Sequence, residues 1–486
     1  KHYMNIGKKK NLSANLFHAL QHNTVSMKLR DAMIEHAYER FFSYAVEDKM
    51  LKQLFIPYES YTDVYNISPV PIIFPQFHQI PENDKFWEEN FTEWTLLNKC
   101  ETNYLGDKLL KPHEDLGQYN ILNEDYIRKT EEMFGKYLIN TVCYYHYWFK
   151  EHKVMYKPIE KIRDEGKPNV NYVIAWANET WSSRWDGMEN QILLHQDYGV
   201  EENWLNHINY LLTFFKSDNY VIIDNKPLLF IYRPLDIPFT IFEPMFELFN
   251  KTVINNCFDG IHLIIFLNNT TNLELYDQYI NSKYVSGVMD FNPNFTNTKS
   301  FEKYQEIDKD NVIFDFITNS IHNDENMIYD EERYLAYNID IKIAVEKGEL
   351  RSGFNHYSNI SNLEKKSRIY KSNLANIVEC YDLMEREPRK HTEQLYSTFM
   401  GWDNTPRRDI TKLGMKPTIF LGSSPYIFKH HIKNMIFKII KNPNKDINWL
   451  IINAWNEWNE QTCLEPSDIH GYKYLEAIQS IFGEYY

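Results

Sequence analysis

The sequence predicts an α/β fold, a closed (β/α)₈ barrel of the TIM type. Three observations support this prediction. Eight short apolar runs have the length and composition of strands, and longer segments with helical spacing separate most of them. Strands that alternate with helices indicate a parallel sheet. Polar and aromatic residues follow the apolar runs directly, at the strand ends where the loops of such a barrel build its active site.

A doubly wound open sheet is the structural alternative, and it would place a cleft where the strand order reverses. Sheets of that class often hold phosphates in a G-x-G-x-x-G turn or a G-x-x-x-x-G-K-[ST] loop. The chain has no G-x-G-x-x-G after its first strand and no G-x-x-x-x-G-K-[ST] anywhere. The count of eight strands therefore favours the barrel.

The predicted elements follow one another in a simple order. The strand segments are Val70–Phe74, Thr141–Lys150, Asn171–Trp181, Pro227–Pro234, Ile261–Asn269, Val285–Pro293, Tyr396–Arg408 and Trp449–Ala454, with a helix near Glu124–Tyr137 before the second. We expect residues 1–66 to form a helical N-terminal extension and residues 67–486 to form the barrel. A helical insertion is expected at about 298–394, between strands 6 and 7, with Glu331–Val345 and Glu364–Met384 as its best helices.

Composition and charge exclude several classes of function. The formal net charge of −15 opposes binding to a phosphate backbone, so no nucleic-acid partner is expected. No window approaches the roughly 20 apolar residues of a membrane span. The cysteines, at positions 100, 143, 257, 380 and 463, show no C-x-x-C spacing, which argues against a disulfide framework or a zinc site. With no signal peptide visible, these cysteines fit a reducing cytoplasm.

The segment Trp449–Gly471 holds the main candidate for catalysis. An apolar run predicted as a buried strand is followed at once by Trp, Asn and Glu, with Glu457 and Glu460 three residues apart. A pair of carboxyl groups suits glycosidic chemistry, because one can protonate the leaving oxygen while the other assists at the sugar carbon. The alternative is a solvated helix face. Two tryptophans among the glutamates, Trp455 and Trp458, favour the catalytic interpretation.

Further candidates lie at the ends of the other predicted strands. Aromatic residues make up 16% of the chain, and sugar C–H faces stack on such rings, so the clusters of aromatic and polar residues predict a carbohydrate cleft. For each residue the alternative is packing, a salt bridge or hydrogen bonding behind the site. No H-x-x-x-H or H-E-x-x-H spacing is found, so no metal is expected. The predicted substrate-binding residues are Gln76, His78, His146, Tyr147, Trp176, Asn178, Glu179, Tyr232, Arg233, Asp290, Trp402, Asp403, Asn404, Arg407, Trp455, Trp458 and Glu465.

A set of spaced motifs resembles a known family. PQFHQIPEND, FTEW, YYHYWF, WANETW, PLLFIYRP, GWDNTPRR and NAWNEWNE followed by LEP occur in this order between Pro69 and Ala477. In these motifs the chain resembles the WbsX family of polysaccharide-locus proteins, described as related to glycoside hydrolase family 99. The N-terminal extension and the insertion before Tyr396 lie outside the resemblance.

The resemblance implies a (β/α)₈ barrel and a retaining, endo-acting glycosidase mechanism without a metal or other cofactor. By the same resemblance, Glu457 would assist the sugar's own 2-hydroxyl as internal nucleophile, and Glu460 would protonate the departing oxygen. In the usual retaining scheme a carboxylate itself attacks the sugar. The chain departs from the family at Asn459 and Gln461, where relatives more often have a small residue or His and then Gly. Glycine permits backbone angles that Gln does not.

The expected function is therefore action on a glycosidic bond of a surface polysaccharide or its precursor, most simply hydrolysis, with an oligosaccharide or polysaccharide as partner. A glycosyltransferase or transglycosylase of O-antigen or capsule biosynthesis is the first alternative, and it would use the same glutamates. A non-catalytic carbohydrate-binding protein is the second. An assay for new reducing ends, with and without nucleotide sugars, distinguishes these three classes.

Overall fold

The computed structural model describes residues 67–104, 106–182, 192–268, 273–293, 335, 339–352, 355–356, 373–408 and 417–483. These residues all belong to one of the chain's two compact units. The predicted helical extension at 1–66 lies outside the described residues, and so does much of the predicted insertion at 298–394.

Eight parallel strands close into a barrel, which confirms the predicted fold. Each strand pairs with the next along the chain, and the last pairs with the first, with Val70 opposite Ile451. The first also pairs with the second, with Ile72 opposite Cys143. The strands are β1 Ile67–Ile73, β2 Thr141–Phe149, β3 Asn171–Trp176, β4 Lys226–Ile231, β5 His262–Leu267, β6 Val285–Asp290, β7 Gln394–Phe399 and β8 Asn448–Asn453.

Helices follow most of the strands and cover the outside of the barrel. Apolar strand residues are buried on both faces, and Leu450, Ile451 and Ile452 of β8 have no exposed surface. The described helices are α1 Pro81–Phe86, α2 Glu93–Lys99, α3 Glu124–Lys136, α4 Lys157–Glu165, α5 Glu201–Phe215, α6 Phe239–Ile254, α7 Asp277–Ile280, α8 Ile339–Glu346, α9 Ile377–Arg386, α10 Pro425–Lys441 and α11 Lys473–Phe482. In the described part of the chain, no helix is both long and apolar enough to cross a lipid bilayer.

Short strands and 3₁₀ turns complete the described part. The short strand His152–Val154 pairs with the end of β2, and Ile222–Ile223 pairs with β4. Three two-stranded ribbons lie outside the barrel; they pair Trp181–Ser182 with Ile192–Leu194, Asn373–Asn376 with Thr418–Leu421, and Asn456–Glu457 with Thr462–Cys463. The 3₁₀ turns are Pro234–Asp236, Leu273–Tyr276, Thr405–Arg407 and Trp458–Glu460.

The alternation of side chains along β2 decides which residues can reach the mouth of the barrel. Successive strand residues point to opposite faces. The ring of Tyr145 contacts Tyr232 at the end of β4, with centroids 5.7 Å apart. The neighbouring His146 instead contacts His207 of the outer helix α5, with their Nε2 atoms 3.0 Å apart. Tyr145 and Tyr147 thus face inward, whereas His146 faces the helices.

The described part of the insertion agrees with one predicted helix and differs at the other: Ile339–Glu346 overlaps the helix predicted at Glu331–Val345. The helix expected at Glu364–Met384 begins at Ile377, because residues 373–376 are a strand paired with Thr418–Leu421. Asn376 ends that strand and caps the helix, since its side-chain oxygen accepts a hydrogen bond from the Val378 amide at 2.9 Å. An Asn in this position is a start signal that helical spacing alone does not detect.

Candidate active site

The loop after β8 folds into a tight hairpin that carries both glutamates of the Glu-x-x-Glu motif. Residues 456–457 pair with 462–463, and the 3₁₀ turn Trp458–Glu460 joins them. Asn456 attaches this hairpin to the end of β1: its Oδ1 accepts from the Phe74 amide at 2.8 Å and its Nδ2 donates to the Phe74 carbonyl at 3.0 Å. The first and last strands of the barrel therefore jointly hold the motif.

Gln461 closes this hairpin in a left-handed conformation, with φ of 53°. A side chain in this region costs on the order of 1 kcal/mol, which explains the value of Gly at such a position. Here the side chain is anchored on both sides. Its Nε2 donates to the Trp458 carbonyl at 2.7 Å, and its Oε1 accepts from the Leu110 amide at 2.6 Å. These bonds stabilise the turn that follows Glu460.

Arg407 joins three carboxylates, and we call Glu93, Glu457, Glu460 and Arg407 the carboxylate cluster. Arg407 Nη2 lies 2.7 Å from Glu457 Oε2 and 3.0 Å from Glu93 Oε2. Its Nη1 donates to Glu93 Oε1 at 3.3 Å, and its Nε lies 3.5 Å from Glu460 Oε1. The guanidinium also lies over the ring of Phe74, 5.5 Å from the centroid. Loops after β1, β7 and β8 converge in this cluster.

Exposure increases from one side of the cluster to the other. The side chain of Glu93 is 2% exposed, that of Glu457 is 9% exposed and that of Glu460 is 19% exposed. Burial, together with the neighbouring carboxylates, raises the pKa of both Glu457 and Glu460 above the ordinary range, although Arg407 opposes the shift. Burial also opposes the charge of Arg407, but the three carboxylates outweigh it and raise its pKa.

Hydrogen-bond geometry distinguishes the two glutamates of the motif. Glu457 accepts a charge-assisted hydrogen bond from Arg407 at 2.7 Å, and such a bond favours the ionised carboxylate. Glu460 has only the longer 3.5 Å approach to Nε. Arg407 therefore favours the ionised form of Glu457 more directly than that of Glu460.

An aromatic wall lies beside the carboxylate cluster. It consists of Tyr145 and Tyr147 of β2 and Tyr232 after β4, with the rings of the first two 6.3 Å apart. Burial, and then the charge of Glu179, raises the pKa of Tyr147 and Tyr232 well above the ordinary value, with a further contribution from Glu457. Glu179 also acts on Glu460. Tyr147, Glu179 and Tyr232 are therefore brought together with the predicted catalytic pair.

A family model described as Glycosyltransferase WbsX matches residues 69–478. This chain belongs to the glycosyltransferase WbsX family. Two proteins called WxcX, from Xanthomonas campestris pv. campestris strains B100 and ATCC 33913, are each 25% identical, over 415 and 413 residues respectively. Both alignments cover 84% of this chain and 49% of the relative, so the chain spans about half the length of these curated relatives.

Solved structures with a similar backbone fold include glycoside hydrolases. One titled glycoside hydrolase-like protein is 13% identical with a TM-score of 0.45, and covers 85% of this chain and 93% of its own. The GH99 endo-alpha-mannosidase from Bacteroides thetaiotaomicron, in complex with BIS-TRIS-propane, is 13% identical with a TM-score of 0.44, and covers 85% of this chain and 95% of its own.

Three predicted substrate-binding residues of this WbsX-family chain lie on the outer side of the barrel wall, and we withdraw them from the site. His146 contacts His207, as described above, and Trp176 packs against the same ring with centroids 4.5 Å apart. Asp290 accepts a hydrogen bond from Gln394 at 2.8 Å, and burial raises its pKa to about 7. The physical reason is the two-residue period of a strand, which turns every second side chain toward the helices.

Two further candidates support the loops next to the site. Asn178 connects the loops after β3 and β4, since its Nδ2 donates to the Arg233 carbonyl at 2.8 Å and its Oδ1 accepts from the Arg233 amide at 2.8 Å. His78 is buried, with Nδ1 2.9 Å from the Pro75 carbonyl, and burial lowers its pKa to about 4. Both are corrections from substrate binding to support of the backbone.

The tryptophans of the motif are also structural. Trp455 and Trp458 have no exposed surface, so neither can form a platform for a sugar. Trp458 Nε1 donates to Glu465 at 2.8 Å, and Glu465 also accepts from the hydroxyls of Tyr119 at 2.6 Å and Tyr126 at 2.8 Å. Glu465 is buried behind the hairpin, and burial raises its pKa to about 7. This carboxyl anchors the hairpin from behind and is withdrawn from substrate binding.

The loop after β7 contains residues that position Arg407. Asp403 Oδ1 accepts from the Thr405 amide at 2.9 Å, at the start of the turn that ends at Arg407, and its Oδ2 accepts from Asn103 at 2.9 Å. Asn404 Oδ1 accepts from the Thr418 amide at 2.8 Å. Both side chains are buried and hold the loop that leads to Arg407, and their roles in substrate binding stay predictions.

Three predicted residues remain at the edge of the site. Gln76 is partly buried, and its carbonyl accepts from the Glu93 amide at 3.2 Å. Trp402 is partly buried and packs on the barrel core. Arg233 is partly exposed, with Nε 3.4 Å from Asp236. Their roles in substrate binding stay predictions.

Sequence reasoning missed Glu93 as a residue of the site. The FTEW motif contains it, but it does not follow a strand directly, and no Glu-x-x-Glu spacing marks it as one of a pair. The signal was an acidic residue flanked by Phe91 and Trp94 in the loop after the first strand. Within the described residues, no group of three or more His, Cys, Asp or Glu side chains has the geometry to hold a metal ion.

Proposed function

We propose that this chain is a carbohydrate-active enzyme that cleaves a glycosidic bond of a surface polysaccharide or its precursor. The observation that carries the proposal is the carboxylate cluster, where Glu457 binds Arg407 at 2.7 Å and lies beside the more exposed Glu460. Membership of the glycosyltransferase WbsX family supports a sugar substrate. Tyr232, the partly buried member of the aromatic wall, supplies a ring on which a sugar can pack.

In the proposed reaction, Glu460 donates its proton to the glycosidic oxygen as the bond to the anomeric carbon breaks. Glu457 accepts the proton of the sugar's 2-hydroxyl, whose oxygen attacks the same carbon. Glu460, now ionised, then takes a proton from water, which attacks the anomeric carbon and displaces the 2-oxygen from it, while Glu457 returns its proton to the 2-oxygen. Both glutamates end in their starting states. These roles are the ones that the family resemblance implies, and the closer contact of Glu457 with Arg407 supports them.

Transfer to a sugar hydroxyl in place of water is the second candidate function, favoured by the description of the family. The two functions share Glu457 and Glu460. They differ in whether water or a sugar hydroxyl accepts the glycosyl group, and in whether an oligosaccharide or a nucleotide sugar donates it. The test is an incubation with oligosaccharides, with and without nucleotide sugars. New reducing ends without nucleotide sugar support hydrolysis, and consumption of the nucleotide sugar supports transfer.

The same assay separates an enzyme from a binding protein. The Glu460→Gln variant serves as the matched control, since it keeps the shape of the side chain and removes the proton donor. If wild type and Glu460→Gln bind an oligosaccharide equally and neither changes it, the proposal of an enzyme is overturned.

A further inference from the structure

Glu93 is held in place more completely than either glutamate of the Glu-x-x-Glu pair. It is the first residue of α2, and its two carboxylate oxygens meet the two terminal nitrogens of Arg407, at 3.3 and 3.0 Å. Asn459, between the paired glutamates, donates from Nδ2 to the Glu93 carboxylate and also to its carbonyl oxygen at 2.8 Å. With 2% of its side chain exposed, Glu93 lies too deep to touch a substrate.

We propose that Glu93 is a positioning residue that binds both terminal nitrogens of Arg407 and thereby leaves Glu460 as the proton-bearing member of the pair. This inference rests on the proposed function, in which Glu460 is the acid. It assigns control over the protonation of Glu460 to Glu93, which follows β1 and so lies near the other end of the barrel in the sequence.

The argument is one of charge and geometry. One guanidinium faces three carboxyl groups in a buried site, and ionisation of all three would leave an excess of two negative charges there. A planar guanidinium binds best through paired, parallel contacts, and Glu93 occupies those contacts. Glu457 shares Nη2 at 2.7 Å, whereas Glu460 approaches Nε at the longer distance of 3.5 Å. Glu460 is thus the carboxyl that gains least from ionisation.

Other charged groups also act on Glu460. Arg408 favours its ionised form and Glu179 opposes it, and Glu93 opposes it more strongly than Glu179 does. Tyr232 also faces Glu460, and Tyr145 and Tyr147 face Glu457, but burial keeps these phenols neutral. Outside the Glu-x-x-Glu pair itself, Glu93 is therefore the acidic neighbour whose removal affects Glu460 most.

The test is the Glu93→Gln variant, which keeps the shape of the side chain and removes its charge. Infrared titration follows the carbonyl band of a protonated carboxylic acid, and subtraction of the same protein with Glu460→Gln isolates the band of Glu460. We expect the pH midpoint of this band to fall by about one unit or more in Glu93→Gln, because a neighbouring like charge has been removed. The alkaline limb of the kcat profile should move by the same amount.

The matched control is Glu88→Gln, which removes the same charge from the neighbouring loop. Glu88 pairs with Lys99 at the surface, where both side chains are more than half exposed. In Glu88→Gln, the pH midpoint of the Glu460 carbonyl band should equal that of the wild type. Thermal unfolding of each variant checks that the fold is intact, and Glu93→Asp, which keeps the charge, provides a second variant if Glu93→Gln does not fold.

Two results would overturn the inference. One is an unchanged midpoint in folded Glu93→Gln, even if its kcat falls equally at every pH, because a purely structural role predicts that pattern. The other is a midpoint in folded Glu93→Asp that falls as far as expected for loss of the charge. The infrared measurement requires no substrate. A shifted midpoint in a protein that cleaves no glycoside supports the role of Glu93 while the proposed function fails.

Discussion

The two sides of the hairpin after β8 show how one residue type serves two purposes. Glu460 and Glu465 are five residues apart on the same segment. Glu460 lies 3.5 Å from a charged guanidinium and is 19% exposed, whereas Glu465 accepts three hydrogen bonds from neutral donors and is 2% exposed. An exposed acid beside a charge can react with a substrate. An enclosed acid among hydroxyls and an indole can only hold its neighbours in place.

Replacement of the exposed acid should have the largest effect and should be confined to activity. We expect Glu460→Gln to lower kcat by roughly 10² to 10⁴, the range for a positioned proton donor, and to leave oligosaccharide binding unchanged. Steady-state kinetics and calorimetric binding measure the two quantities. If wild type and variant have equal kcat, Glu460 is not the proton donor, and the functional difference between Glu460 and Glu465 is lost.

Replacement of the enclosed acid should instead reduce stability. Glu465→Ala leaves the hydroxyls of Tyr119 and Tyr126 and the indole of Trp458 without their acceptor, and each buried donor left unpaired costs about 1 to 3 kcal/mol. We expect urea unfolding to show a total loss of about 3 to 5 kcal/mol. A loss below about 1 kcal/mol would mean that this side does not hold the hairpin.

The dependence of stability on pH extends the comparison to a second enclosed carboxyl. Burial raises the pKa of Asp290 to about 7, so the folded protein retains a proton that the unfolded chain releases near its ordinary pKa. This contribution to stability is present at low pH and is lost as pH rises through 7. It should fall by about 3 kcal/mol between pH 5 and 8.

The Asp290→Asn variant mimics the protonated form and tests this expectation. Its free energy of unfolding, measured with urea at pH 5 and pH 8, should fall less with pH than that of the wild type, by the same amount of about 3 kcal/mol. An identical decrease in both proteins would show that Asp290 ionises in the folded state at its ordinary pKa.

The smallest effect concerns the residue between the two sides of the hairpin. Gln461 has a left-handed backbone, and we expect Gln461→Gly to be more stable than Gln461→Ala by about 1 kcal/mol. Both variants lose the same side-chain hydrogen bonds, so the comparison isolates the backbone. Urea unfolding of the two variants measures it, and an Ala variant as stable as the Gly variant would argue against a strained turn.

The barrel could be predicted because its signal is local. Each apolar run of buried strand, such as Leu450 to Ile452, is visible in the sequence, and the order of strands and helices leaves few possible topologies. The ends of elements were less accurate, as at Asn376, because a cap decides them. The face of each strand residue was also missed at His146 and Asp290, since both faces of a parallel strand are apolar and give no alternation to follow.

By itself, the sequence determined the eight strands, the family and the pair Glu457 and Glu460 as candidates, because these depend on residue type and spacing along the chain. Only the tertiary structure decided which carboxyl groups surround the positive charge of Arg407. Glu93 and Glu457 are far apart in sequence and meet at Arg407 because the first and last strands of a closed barrel are neighbours. Ionisation depends on distance and burial in three dimensions, and spacing along the chain does not report either of them.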